Sequence, residues 1–156
     1  MDITGDELAG VADVFGGLTR AELDRAVEEL AFKRGTEADA DVVADTVESA
    51  IDAYRLVAVE ADDAEATDET LLVPGPAAFP SLPEGAEDLP HILDIEERTV
   101  DRDRVATAAR TRLEADAERA VEAGDAGRAA ALVDVSYDLE TWGVDVAAVR
   151  DRLDDA

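Results

Sequence analysis

DADVVADTVESAIDAYRLVAVE, residues 39–60, decides how this chain is read. Val43, Val47, Ala50, Ile51 and Tyr54 recur at the spacing that puts them on one side of a helix beginning near Asp41. Leu56-Val57-Ala58-Val59 then changes the period and predicts a strand, with Thr70-Leu71-Leu72-Val73 as its partner. Residues 61–69, Ala-Asp-Asp-Ala-Glu-Ala-Thr-Asp-Glu, are expected to be a long acidic hairpin loop between them. The helix carries Asp39, Asp41, Asp45, Glu48 and Asp52 before its first positive charge, Arg55.

Upstream, two capping boxes open two more helices. Thr4-Gly5-Asp6-Glu7 precedes Leu8, Val11 and Phe15, and Gly16-Gly17 ends that helix. Thr19-Arg20-Ala21-Glu22 precedes Leu23, Val27 and Leu30, with Gly35 as the C-terminal stop. The order helix, helix, helix, hairpin over residues 1–75 resembles a winged helix-turn-helix domain. That resemblance makes LTRAELDRAVEELAFKRG and DADVVADTVESAIDAYRL the helix pair and residues 56–73 the wing.

Downstream, all five prolines fall between Pro74 and Pro90. Residues 76–100 are expected to be an extended segment pinned across the surface, with Phe79 and Leu82 buried; PHILDIEERTV fits either a short strand or a helical turn. In residues 101–156, Val105, Ala109, Leu113, Ala117 and Val121 line a long helix. Gly124-Asp125 breaks it and starts a second, faced by Leu132, Ser136 and Leu139 and widened by Val133 and Tyr137. Gly143 ends that helix, and Val144, Val146, Val149 and Leu153 suggest a short last one. One such helical hairpin is not a repeat array. The expected fold is mainly α with one β-hairpin: a winged-helix-like N-terminal half, a proline-rich crossing segment and a C-terminal helical hairpin packed on the first half.

Charge is the strongest compositional signal. Forty Asp and Glu stand against fourteen Lys and Arg, a net of −26, and Lys33 is the one lysine. The acids are interspersed with periodic apolar residues, which predicts a folded chain and not a disordered one. Abundant Asp and Ala, scarce Lys and no Cys suit a proteome adapted to molar salt, where a Debye length of roughly 3 Å screens self-repulsion. MDITGDELAGVADVFGGLTRAELDRAVEELAFKRG and LLVPGPAAFP resemble a family of small acidic haloarchaeal proteins with no assigned function. The resemblance implies a high-salt habitat and contributes no catalytic or binding residues. The N-terminus, MDITGDELAGV, has neither a basic region nor a long apolar run, and no stretch approaches the roughly 18 apolar residues of a membrane span. A cytoplasmic location is expected.

The chemistry excluded is as informative. Affinity for duplex DNA comes mainly from Lys and Arg on phosphates, and bases are read chiefly by Arg, Lys, Asn or Gln. Residues 36–75 hold twelve acids and one Arg, a net of −11, and the chain has no Asn or Gln. A third helix and wing so charged repel DNA and turn the frame towards protein contact. Arg20, Arg25, Lys33 and Arg34 beside the second helix, and Arg102, Arg104, Arg110, Arg112 and Arg119 on the long one, are interleaved with acids. Glu114, Asp116 and Glu118 are examples, as expected of ion pairs on a solvated face.

Asp62, Asp63, Glu65, Asp68 and Glu69 offer oxygen ligands, but their spacing is not that of an EF-hand and no central Gly is present. His91, beside Asp94 and Glu96, is expected to be structural or exposed. Ser49, Ser81 and Ser136 lack a nucleophile-elbow context, and no phosphate-binding glycine motif occurs. Tyr137 and Trp142 are expected in the core. The sequence therefore predicts no catalytic, cofactor-binding or metal residue. The expected role is a non-enzymatic interaction or adaptor protein whose partner is another protein; the alternative is a winged-helix transcription regulator.

Charge density generates one prediction directly. Dialysis from molar KCl into dilute buffer is expected to loosen or unfold the chain, read as loss of helical circular dichroism. An unchanged spectrum would refute it.

Overall fold

The computed structural model describes residues 2–60 and 70–156, so the acidic loop 61–69, with its candidate ligands, lies outside the described residues. The architecture is mainly helical with one antiparallel hairpin. Both capping boxes form. Thr4 accepts from the Glu7 backbone N–H at 3.1 Å and Glu7 from that of Thr4, opening α1 (Gly5–Phe15); Thr19 and Glu22 do the same for α2 (Arg20–Lys33). Asp39 caps α3 (Ala40–Asp52) by accepting from the Asp41 and Val42 backbone N–H groups. The hairpin follows as β1 (Leu56–Glu60) and β2 (Thr70–Pro74), paired Val57 with Val73 and Val59 with Leu71. Leu18, between α1 and α2, bridges to Leu72 through two backbone hydrogen bonds of 3.1 and 2.7 Å. The stretch between the first two helices is thereby tied to the hairpin.

Burial divides between the two faces of this hairpin. Leu56 and Leu72 join a core built from α1, α2 and α3, including Leu8, Phe15, Leu23, Leu30 and Val47. Val57, Val59, Leu71 and Val73 join a second core with Leu113, Leu132, Leu139 and Leu153. An antiparallel sheet commonly leaves one face wet; here both carry core side chains. The second layer consists of α5 (Arg102–Ala123), α6 (Ala126–Thr141) and α7 (Ala147–Leu153), with α5 against β1. Gly124, left-handed at φ 63°, ends α5, and Asp125 caps α6 at the expected joint. Trp142 is partly buried against this core, with Arg102 over its ring at 4.3 Å. Tyr137, expected inside, is 54% exposed under Arg150. No helix among the described residues is long and apolar enough to cross a membrane.

The crossing segment lies against α1. Asp6 holds it by accepting from the Phe79 backbone N–H through its side chain and from the Ser81 backbone N–H through its carbonyl. Side chains at Gly10 and Gly16 would collide with the carbonyls of Ser81 and Arg98, so both glycines are required by close approach. The expected burial of Phe79 and Leu82 does not occur: they are 82% and 49% exposed. Backbone hydrogen bonds, not apolar anchors, pin the strap there. Leu89, in the one-turn α4 (Leu89–Ile92), and Ile95 supply its buried anchors. Arg98 then donates to Glu22 at 2.6 and 3.1 Å and to the Gly17 carbonyl, closing the strap over the start of α2.

The two cores meet at Tyr54, and here the sequence reading needs correction. Tyr54 is not on the α3 face with Val47 and Ala50, because α3 stops at Asp52. The Tyr54 N–H reaches the Ile51 carbonyl and the Arg55 N–H reaches that of Ala50, which is the Schellman helix stop. Its left-handed seat usually holds glycine. Tyr54 occupies it at φ 61° and is the one described non-glycine residue with positive φ. That conformation costs roughly 1–2 kcal/mol. It also swings the ring out of the α3 core and into the second one, fully buried, where the hydroxyl donates to Asp116 at 2.5 Å. Burial of a large side chain contributes about 1.5–3 kcal/mol and offsets the strain. Asp116 is correspondingly buried, not on the solvated face expected of it.

Two stability measurements follow. Tyr54→Phe leaves Asp116 short of a donor and is expected to cost about 1–3 kcal/mol. Trp142 fluorescence and helical dichroism should shift together; an unmoved Trp142 transition would rule out coupling through Tyr54. Burial raises the Glu22 pKa, but the hydrogen bond from Arg98 and that from the Thr19 N–H outweigh it and hold the carboxyl below its ordinary value. A depressed folded pKa gives stability present above the ordinary glutamate range, about 4.3, and lost as pH falls through the folded value. Arg98→Leu should therefore destabilise the protein at pH 7, with the gap to wild type narrowing below about pH 4. A pH-independent gap would show that packing, not the ion pair, holds the strap.

Candidate interaction face

The outward side of α3 is set by its inward one. With Val43, Val47 and Ala50 buried, Asp41, Asp45, Glu48 and Asp52 fall opposite at successive steps of four, three and four residues, and all are exposed. At 1.5 Å per residue the stripe runs about 16 Å along the helix. Val42, 45% exposed, lies at its side. Like charges at such spacings weaken a helix by about 0.2–0.5 kcal/mol per pair. Asp39 and Asp41 at the N-terminal end suit the helix dipole, whereas Asp52 at the other end does not.

The C-terminal layer supplies the compensation. The last turn of α3 has no basic residue of its own. Arg112 from α5 reaches the Asp52 carboxylate at 3.3 Å, and Arg128 from α6 donates to the Asp52 carbonyl at 3.0 Å. Arg112 also lies over the Tyr54 ring at 4.8 Å. The C-terminal end of the acidic helix is therefore clamped to the second layer.

The remaining cations are similarly engaged. Arg20 pairs with Asp24 and Arg110 with Glu114, as the interleaving predicts. Lys33 and Arg34 reach across to the carbonyls of Gly85 and Glu84, and Arg55 pairs with Asp6. Arg104 donates to the Glu60 carbonyl, Arg150 pairs with Glu140 and Arg152 with Glu118. The hydrogen bond from Arg150 is the main cause of a lowered Glu140 pKa. Among the described residues every cation except Arg25 has a carboxylate, carbonyl oxygen or aromatic ring as partner.

His91 is exposed, and no group of three His, Asp or Glu side chains among the described residues is arranged to hold a metal ion. The serines are scattered: Ser136 is buried and donates to the Val133 carbonyl, whereas Ser49 and Ser81 are exposed on α3 and the strap. Of the exposed aromatics, Phe79 and Tyr137 were expected inside, and Phe32, 77% exposed on the side of α2 away from its core, was not singled out by the sequence. The signal for Phe32 was present, since it falls opposite Leu23, Val27 and Leu30 on the helical wheel.

No curated protein and no solved structure matches the chain. A family model described as a family of unknown function, DUF7109, matches residues 6–156, and the chain belongs to that family.

Proposed function

We propose that this family member is a non-enzymatic interaction protein of a salt-adapted cytoplasm, built on a winged-helix-type frame and directed at a protein surface. The frame rests on the order α1, α2, α3, β1, β2, with the isolated Leu18–Leu72 bridge tying the stretch between the first two helices to the hairpin. In such a frame α3 is the helix that would enter a major groove. The observation that carries the reading is its outward face, Asp41, Asp45, Glu48 and Asp52, exposed in an unbroken acidic stripe. A stripe of carboxylates with no Lys or Arg in it gains nothing from counterion release on DNA. A basic protein surface complements the same stripe, and salt weakens that attraction without reversing its sign.

The frame itself favours the transcription-regulator alternative, and selection from a randomised duplex library in molar KCl separates the two. No enriched sequence is expected; a reproducible DNA motif would overturn the proposal. In the adaptor arm, carboxyl-reactive crosslinking in intact cells should join Asp41, Asp45 or Glu48 to one protein. The triple neutralisation Asp41→Asn, Asp45→Asn, Glu48→Gln should abolish capture of that protein while leaving helical dichroism intact. Capture unaffected by the triple variant would remove α3 from the interface.

A further inference from the structure

Three of the fourteen cations, Arg112, Arg119 and Arg128, converge on one buried carboxylate, Asp116. Arg112 approaches it to 3.5 Å and Arg128 to 3.4 Å, and Arg119 donates to its other oxygen. They line a cleft of about 510 Å³ between the end of α3, the C-terminal half of α5 and the start of α6.

The cleft holds three acids, Asp52, Asp116 and Asp125, against the three guanidiniums, so what it has in excess is N–H donors and not charge. Each guanidinium carries five N–H donors, so the three offer about fifteen, and the bonds to Asp116 and Asp52 use a minority. Of the acids, Asp116 already accepts from the Tyr54 hydroxyl, and Asp125 caps α6 by accepting from the Arg128 backbone N–H at 2.9 Å. The Asp52 side chain is 74% exposed and holds Arg112 at 3.3 Å, so it can turn to water when a stronger acceptor arrives. Arg119 is 69% exposed and free to swing onto that acceptor.

We propose that this cleft binds a phosphoryl group, through the guanidinium groups of Arg112, Arg119 and Arg128. Guanidinium forks match phosphate oxygens bidentately, and a doubly charged oxyanion outcompetes chloride for several forks at once. The cleft has the volume of a small-molecule site, which leaves space for an organic group on the phosphate. It lies beside the Tyr54 junction, so occupancy would brace the contact between the two cores.

The probes are inorganic phosphate and ribose 5-phosphate, titrated calorimetrically in molar KCl at constant ionic strength, with unfolding midpoints recorded in parallel. Saturable one-to-one binding with a raised midpoint is expected. Arg119→Ala, on an exposed side chain, should keep the fold and weaken binding roughly tenfold or more, while Arg20→Ala, far along the chain in a surface pair, should not. Tighter binding of the ester than of inorganic phosphate identifies a small organic phosphate as the ligand; equal binding identifies free phosphate. Absence of saturable binding for both probes overturns the proposal, as does binding unchanged in Arg119→Ala and in the charge reversal Arg119→Glu.

Discussion

The hydrogen bond from Tyr54 to Asp116 is the contact on which the rest of the structure depends. A helix stop that usually takes glycine holds an aromatic ring, and the left-handed backbone aims that ring away from its own helix. Desolvation, with Asp116 second, raises the Tyr54 pKa far above its ordinary value, so the hydroxyl stays protonated and donates. Asp116 in turn could not remain buried as an unpaired charge, which would cost several kcal/mol. Strain, buried hydroxyl and buried carboxylate are thus mutually required. The hairpin next to them contributes side chains to both cores, so the two layers share one wall.

The same junction organises the charge. In a chain of −26, cations are the scarce component, and their placement is more informative than that of the acids. They fasten the strap, through Lys33, Arg34 and Arg98, and the second layer, through Arg104, Arg112 and Arg128. The acids that remain outward are screened in molar salt and repel one another in dilute buffer.

Local rules made much of the fold legible. Capping boxes at Thr4 and Thr19, the stop at Gly35 and the Gly124-Asp125 joint all depend on neighbours within a few residues, and each forms. Tyr54 was misread because it lies four residues after Ala50, where helical spacing continues although the helix has ended. A left-handed non-glycine residue has no sequence signature. Asp116 was obscured by abundance, yet its position was readable: three residues after Leu113 and four before Ala120, it sits on the buried stripe of α5. Arg112 and Arg119, at i−4 and i+3, are the partners such a buried acid needs. Phe79 departed from expectation for the opposite reason. An apolar residue between prolines resembles an anchor, but the strap is held by its backbone, and the side chain is left outside.

These placements constrain what α3 can do. A helix that reads a polyanion needs cations free to move onto phosphates, and it needs its outer face unencumbered. Here the cations that touch the helix, Arg112 and Arg128, lie at its last turn, where they offset its dipole and contact Asp52, and none lies along the outward stripe. The N-terminal turns, with Asp41, Asp45 and Val42, have no such clamp and remain outward. A partner that docks on α3 therefore meets a helix fixed at one end and presented at a set angle to α5. A charged surface with rigid geometry of this kind specifies orientation more than affinity, because exposed charge pairs contribute little energy while like-charge mismatches are penalised.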